Sequence, residues 1–338
     1  MKSLNMLALG LAAVAAVPMA VNAQEAAPKT KLQAYFVFGK KAQRVPVVQA
    51  ADKGKFIYMQ EDQQMQMDVD KCAMFLLITP ADYADALNDY RSADLAAARK
   101  KFADIKGKYA EYVGLPGNPA TEAALLELDC AVRMLDWAAA KSLATSFPHA
   151  DYLPEEDQLK LSVAKILGDI PGGLDAQTAA IKALLESPAG KKMGIESYGW
   201  LRYALGRAYE AKVPAAVLAA SATPEQAAGL SKAVDNYCQA ALCSHGTHME
   251  IPVDAMQRAM RLLWAMPGVK EYAAGGAMDA ARWNSAPVNF KDAVVLAQLL
   301  KTVYTTDGGA KLEQKALVDE LAKHYYNAEK DKPAKKEG

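Results

Sequence analysis

Residues 80–112 read PADYADALNDYRSADLAAARKKFADIKGKYAEY and set the pattern that the later chain repeats. Tyr83, Ala86, Leu87 and Tyr90 recur at spacings of three and four, so they share one face of a helix. Asp94 then supplies a side-chain oxygen to cap a second helix, whose apolar side is Ala97, Ala98, Phe102, Ile105 and Tyr109. One helical hairpin cannot bury such faces, whereas a row of hairpins can.

The chain downstream supplies further hairpins. Residues 114–118 contain Pro116 and break the first pair. Residues 121–135 place Ala124, Leu125, Leu128, Ala131, Val132 and Leu135 on one side of a third helix. Asp136 starts the next, with Trp137, Ala140, Leu143, Ala144 and Phe147, closed by Pro148. Residues 155–167 follow, with Glu155, Glu156 and Asp157 at a helix start, where their charge suits the helix dipole. The reading then expects helices over 175–185, closed by Pro188, over 196–211, from Thr223-Pro224 to about Ala241, over 252–264, over 290–304 and over 311–326. Met256, Met260, Leu263 and Trp264 fall on one face of the 252–264 helix. Residues 267–276 read as a Gly-rich stretch, and 213–223 as a small-residue insertion.

Upstream the period changes to two. Leu32, Ala34, Phe36 and Phe38 alternate with Gln33, Tyr35 and Val37, and Met65, Met67 and Val69 alternate with Gln64, Gln66 and Asp68. Asp52-Lys53-Gly54 is turn chemistry ahead of Phe56-Ile57-Tyr58-Met59. Residues 32–79 therefore predict a small antiparallel β module of three to five strands resting on the first helical hairpin. Residues 73–78 are consistent with a last strand or with the approach to the helices. Pro46 requires an edge or a bulge. The methionines at 59, 65, 67 and 74 are expected to pack inward.

The helical pattern resembles the tetratricopeptide (TPR) repeats. Asp94-Leu95-x-x-Ala98 with Phe102, Asp136-Trp137-x-x-Ala140 with Phe147 and Pro148, and Asp175-Ala176-x-x-Ala179 with Pro188 are similar to the family's second helix. Those aspartates are 42 and 39 residues apart, against about 34 in the family. Gly199, Trp200, Leu205-Gly206 and Tyr209 are similar to its first helix, whose tryptophan and Leu-Gly pair the early units lack. The resemblance implies a mainly α fold, an α-solenoid of TPR-like hairpins over residues 80–328. It further implies a concave groove that binds a protein or peptide partner, and no enzymatic role.

Residues 1–23 carry Lys2, an apolar run over 6–17 and Val21-Asn22-Ala23, the three parts of a secretory signal peptide. The expected mature chain begins at Gln24, with a loose lead-in over 24–31 and a disordered tail over 329–338. It is expected to be periplasmic or secreted, with a partner in the cell envelope and no membrane span. Lys and Arg number 39, as do Asp and Glu, with no basic stripe, which argues against nucleic acid. No cofactor is implied: the phosphate-binding Gly-rich loops, Gly-x-Ser-x-Gly and His-Glu-x-x-His are all missing.

Two other chemistries remain open. Cys238, Cys243, His245, His248 and Glu250 gather sulfur, imidazole and carboxylate within a short span, a donor set that suits zinc or copper. Cysteines five apart diverge on a regular helix, so the metal reading requires the helix to end near Ala241. A hydrolase or lyase acting on glycans through paired carboxylates leaves no linear motif; raised carboxyl pKa values in a shared pocket would reveal it. Four cysteines, Cys72, Cys130, Cys238 and Cys243, allow three disulfide connectivities, and spacing does not choose among them. His149 and His324 read as surface residues.

Overall fold

A computed structural model describes residues 31–244, 249–303 and 312–327. The alternating stretch forms five antiparallel strands: β1 (Gln33–Phe38), β2 (Lys41–Asp52), β3 (Lys55–Gln60), β4 (Gln63–Asp68) and β5 (Met74–Leu77). Their order is β4-β3-β2-β1-β5, so residues 74–77 finish the sheet beside β1. Two-residue turns join the first four strands. Gly54 supplies φ +71° at one turn, a conformation that glycine adopts without steric cost.

Pro46 lies in β2, which runs between β1 and β3. It pairs with Gln33 at the end of the β1 ladder; the β3 ladder starts at Val47, with an irregularity before Gln49. The missing N–H therefore falls where β2 passes from one partner to the other, and no ladder bond is lost.

Ala34, Phe36, Val45, Val47, Phe56, Tyr58 and Leu77 form the buried face of the sheet. They share a core with Tyr83, Phe102, Ile105, Tyr109 and Tyr112 from the hairpin that follows. The Tyr112 hydroxyl fixes the two layers in register. It accepts from Leu32 N and donates to Val47 O, both at 3.2 Å. The other face departs from expectation: Tyr35, Phe38, Met65, Met74 and Leu76 are exposed. Thus of the sheet methionines only Met67 packs against this core.

The rest of the described chain is helical. The first hairpin is α1 (Ala81–Arg91) and α2 (Leu95–Lys108). Then come α3 (Pro119–Arg133), α4 (Trp137–Thr145), α5 (Glu155–Leu167), α6 (Thr178–Glu186), α7 (Pro188–Lys191) and α8 (Ile195–Glu210). The chain continues with α9 (Ala215–Ala219), α10 (Pro224–Ser244), α11 (Glu250–Trp264), α12 (Val269–Ala274), α13 (Ala280–Ser285), α14 (Val288–Val303) and α15 (Lys315–Ala322). The fold is mainly α with a small N-terminal antiparallel sheet.

The long helices pack in chain order: α1 on α2, α2 on α3, α3 on α4, α4 on α5, α5 on α8, α8 on α10, α10 on α11, α11 on α14, and α14 on α15. Asp94 and Asp136 cap α2 and α4, accepting from Ala97 N and Ala139 N. Thr223 and Gln226 exchange side-chain bonds to each other's backbone N–H at the start of α10, a capping box. Gly206 lets α8 approach α10, since a Cβ there would lie 2.6 Å from the Tyr237 ring.

Several expected boundaries move. Asp175 does not cap; α6 begins at Thr178, and the exposed Asp175 carboxylate pairs with Lys212 at 2.9 Å. Pro188 does not close a helix but opens α7, capped by Ser187. The Gly-rich 267–276 stretch contains α12, and the 213–223 insertion contains α9. His149 is exposed, as expected, whereas His324 packs edge-on against the Phe290 ring, 5.7 Å between centroids. Residues 1–30 and 328–338 lie outside the described residues, and with them the leader, most of the lead-in and the tail. Among the described residues no helix is long and apolar enough to cross a membrane.

Candidate binding groove

Helix α11 has two characters. Ile251, Ala255, Met256, Ala259, Met260, Leu262 and Leu263 are buried in the main core. Glu250, Asp254, Gln257, Arg258 and Arg261 recur at four, seven, eight and eleven residues from the first, so they form one polar stripe. That stripe floors an open groove made of three adjoining depressions.

One end, about 390 Å³, is walled by Leu95, Met134, Leu135 and Val253 with Arg133 and Glu250. The shallow middle, about 30 Å³, lies over Asp254, Gln257, Arg258 and Arg261 beside Glu313 and Gln314. The far end, about 110 Å³, is bounded by Ile170, Gly173, Leu174, Arg207 and Glu210. Asp254, Gln257 and Glu313 belong to both the first end and the middle, and Arg258 to both the middle and the far end.

A charged network holds the far half. Glu210, at the C-terminus of α8, has a side chain only 8% exposed. It accepts from Arg258 Nη1 at 3.0 Å, from Arg261 and from the Tyr237 hydroxyl. Arg258 Nε also donates to Asp254 Oδ2 at 2.6 Å, which accepts from the Tyr203 hydroxyl at 2.5 Å. Arg207 Nη1 donates to the Tyr203 hydroxyl at 3.3 Å. The Tyr203 ring lies 5.7 Å from Trp137 and 5.9 Å from Tyr237. At the other end Arg133 reaches Glu250 at 3.3 and 3.4 Å, its guanidinium 4.8 Å from the Tyr90 ring centre.

These contacts fix the protonation states. Burial by itself would push the Glu210 carboxyl up, but Arg258, the Tyr237 hydroxyl and Arg261 outweigh it and hold the group below its ordinary value. Burial, then the Asp254 charge, push the Tyr203 phenol well up. Near neutral pH Glu210 is thus an ionised carboxylate beside two arginines and protonated tyrosines. Asp157 on α5 and Asp292 on α14 are carboxyls held above the ordinary value, first by burial. Neither lines the groove.

The metal reading of the Cys238–Glu250 cluster lies partly outside the described residues. Helix α10 runs past Ala241 to Ser244, so Cys238 and Cys243 point to different sides of one unbroken helix. Glu250 is engaged by Arg133, and His245 and His248 lie outside the described residues. No group of three or more His, Cys, Asp or Glu among the described residues is placed to hold a metal ion.

All four cysteines are free thiols. Burial, followed by the Asp129 charge, pushes Cys130 up to about 12, and burial pushes Cys238 up to about 11. At pH 8 each is expected to react with a thiol-specific alkylating reagent at least about a hundredfold more slowly than an ordinary cysteine, since the thiolate is the nucleophile. Mass mapping of native labelling should find Cys72 and Cys243 modified first, with Cys130 reacting only on unfolding. Equal native rates at Cys130 and Cys243 would contradict that environment.

The groove residues were not foreseen as a site. Their trace in the sequence is the interruption of the apolar run 256–266 by Gln257, Arg258 and Arg261. Comparison with family models, with curated proteins and with solved structures found no match.

Proposed function

We propose that the helical pairs are TPR-like units stacked as a solenoid, and that the α11 groove binds an extended segment of a protein partner. Packing of helices in chain order supports the stacking, as do the aspartate caps of α2 and α4 and the close approach at Gly206. The observation that carries the binding role is the continuity of the groove: three depressions share side chains of one helix face. An extended chain gains hydrogen bonds from such a preformed, polar floor without ordering it first. The signal-peptide pattern of residues 1–23 supports a partner in the cell envelope.

Site-specific photocrosslinking tests this in cells. A photoreactive residue at Met134, exposed at the groove mouth, is expected to capture one defined protein; the same residue at Met65 on the outer sheet face is not. Capture of the same products from both positions, or of none from Met134, would defeat the reading.

A further inference from the structure

We infer that the segment bound in the groove carries an apolar side chain at one end and a carboxylate a few residues away at the other; this rests on the groove reading above. Arg133 is matched by Glu250, Arg258 by Asp254 and Glu210, and Arg261 by Glu210. Among the described residues Arg207 makes no ion pair, and its hydrogen bond goes to the neutral Tyr203 hydroxyl. Arg207 lines the far depression beside the apolar Ile170 and Leu174. A guanidinium there presents a planar fork that suits a carboxylate, and the apolar walls strengthen the attraction.

The opposite end has the contrary chemistry. Leu95, Leu135 and Val253 wall it, and Met134 remains 42% exposed at its rim. An apolar side chain entering that space would cover Met134. Glu313 lines this end and the middle, also without an ion pair among the described residues. It repels a carboxylate placed near the apolar end, so the charge is steered to Arg207.

Spacing follows from helix geometry. Val253 and Arg258 are five residues apart on α11, about 7.5 Å of axis at ~1.5 Å per residue. An extended peptide advances about 3.3 Å per residue, and Arg207 stands on α8, off the α11 axis. The carboxylate therefore falls roughly two to four residues from the apolar side chain. It is either an Asp or Glu side chain or the chain's own C-terminus.

The probe is a random hexapeptide array printed in two forms, with free C-terminal carboxylates and with C-terminal amides, and exposed to the purified full-length protein. Bound sequences are expected to pair an apolar residue with Asp, Glu or the free terminus at that spacing. Retention on the amide array assigns the carboxylate to a side chain, and loss there assigns it to the terminus. Arg207→Ala is expected to weaken these peptides about tenfold or more, as loss of a charge-assisted hydrogen bond does, and Arg207→Lys less. Glu313→Gln is expected to admit acidic residues beside the apolar one. Peptides that are displaced by Met134→Arg, yet ignore acid content and Arg207→Ala, overturn the inference and leave the groove reading standing. If no bound peptide responds to Met134→Arg, both fall.

Discussion

Replacing Glu210 with alanine is expected to destabilise the protein by about 3–5 kcal/mol, the range for breaking a buried ion pair from one side. The carboxylate is only 8% exposed and meets two guanidinium groups and a phenol. Its removal strands the Tyr237 hydroxyl, on a fully buried ring, and the Arg261 side chain. Arg258 keeps Asp254, and both arginines retain some access to solvent, at 24% and 34% exposed. The loss therefore belongs at the lower end of that range. It is still a large share of a total stability of about 5–15 kcal/mol.

The pH dependence separates the charge from the packing. The folded carboxyl titrates below its ordinary value. Its contribution is thus fully present above about pH 4.5, the ordinary glutamate range, and is lost as pH falls through the lower folded value. Glu210→Gln keeps the size and removes the charge. Urea unfolding of both forms should show a gap that is constant from pH 7 to about 5 and narrows in stronger acid. A gap unchanged down to pH 3 would show that it does not arise from the carboxylate's charge, and a near-neutral Glu210→Ala would mean that the network contributes no net stability.

Legibility in the sequence followed the range of the interaction. The strands and the first helical pair were readable because alternation, period and caps are local: Asp94 and Asp136 each bond a backbone N–H three residues on. Asp175 carried the same signal and failed, because it lies inside the turn of residues 174–177, closed by Gln177 N and Thr178 N on Leu174 O, that precedes α6. Helices α12 and α13, six residues each, are too short to display a period. The burial of His324 was invisible for another reason, since Phe290 meets it from a different helix. The groove was least legible of all. Leu95, Met134, Arg207 and Arg258 come from segments far apart in the chain, and only the polar stripe on α11 marks the place locally.

Lys160 provides the second large effect, and it bears on how the helices hold together. Its ammonium on α5 lies 3.0 Å from Glu196 on α8, 3.6 Å from Asp129 on α3 and 5.1 Å from the Trp200 ring centre. Asp129 is 2% exposed and also accepts from the Tyr90 hydroxyl of α1. Lys160→Ala takes an ammonium away from that buried carboxylate and from Glu196 and removes the stem packed on Trp200, so a loss of about 3–5 kcal/mol is expected. Lys160→Met restores the stem and should recover part of it. Burial by itself would pull the ammonium pKa down, but Asp129, Glu196 and Asp157 outweigh it and hold it above the ordinary value. The stabilisation is therefore complete below about pH 10.4 and is lost as pH rises through the higher folded value. The gap between the native chain and Lys160→Met should accordingly stay flat from neutrality to about pH 10 and close above it. Lys160 joins α3, α5 and α8, so its loss is also expected to broaden or split a single urea transition. Coincident fluorescence and circular dichroism transitions in Lys160→Ala, at unchanged midpoint, would show that this cation couples nothing.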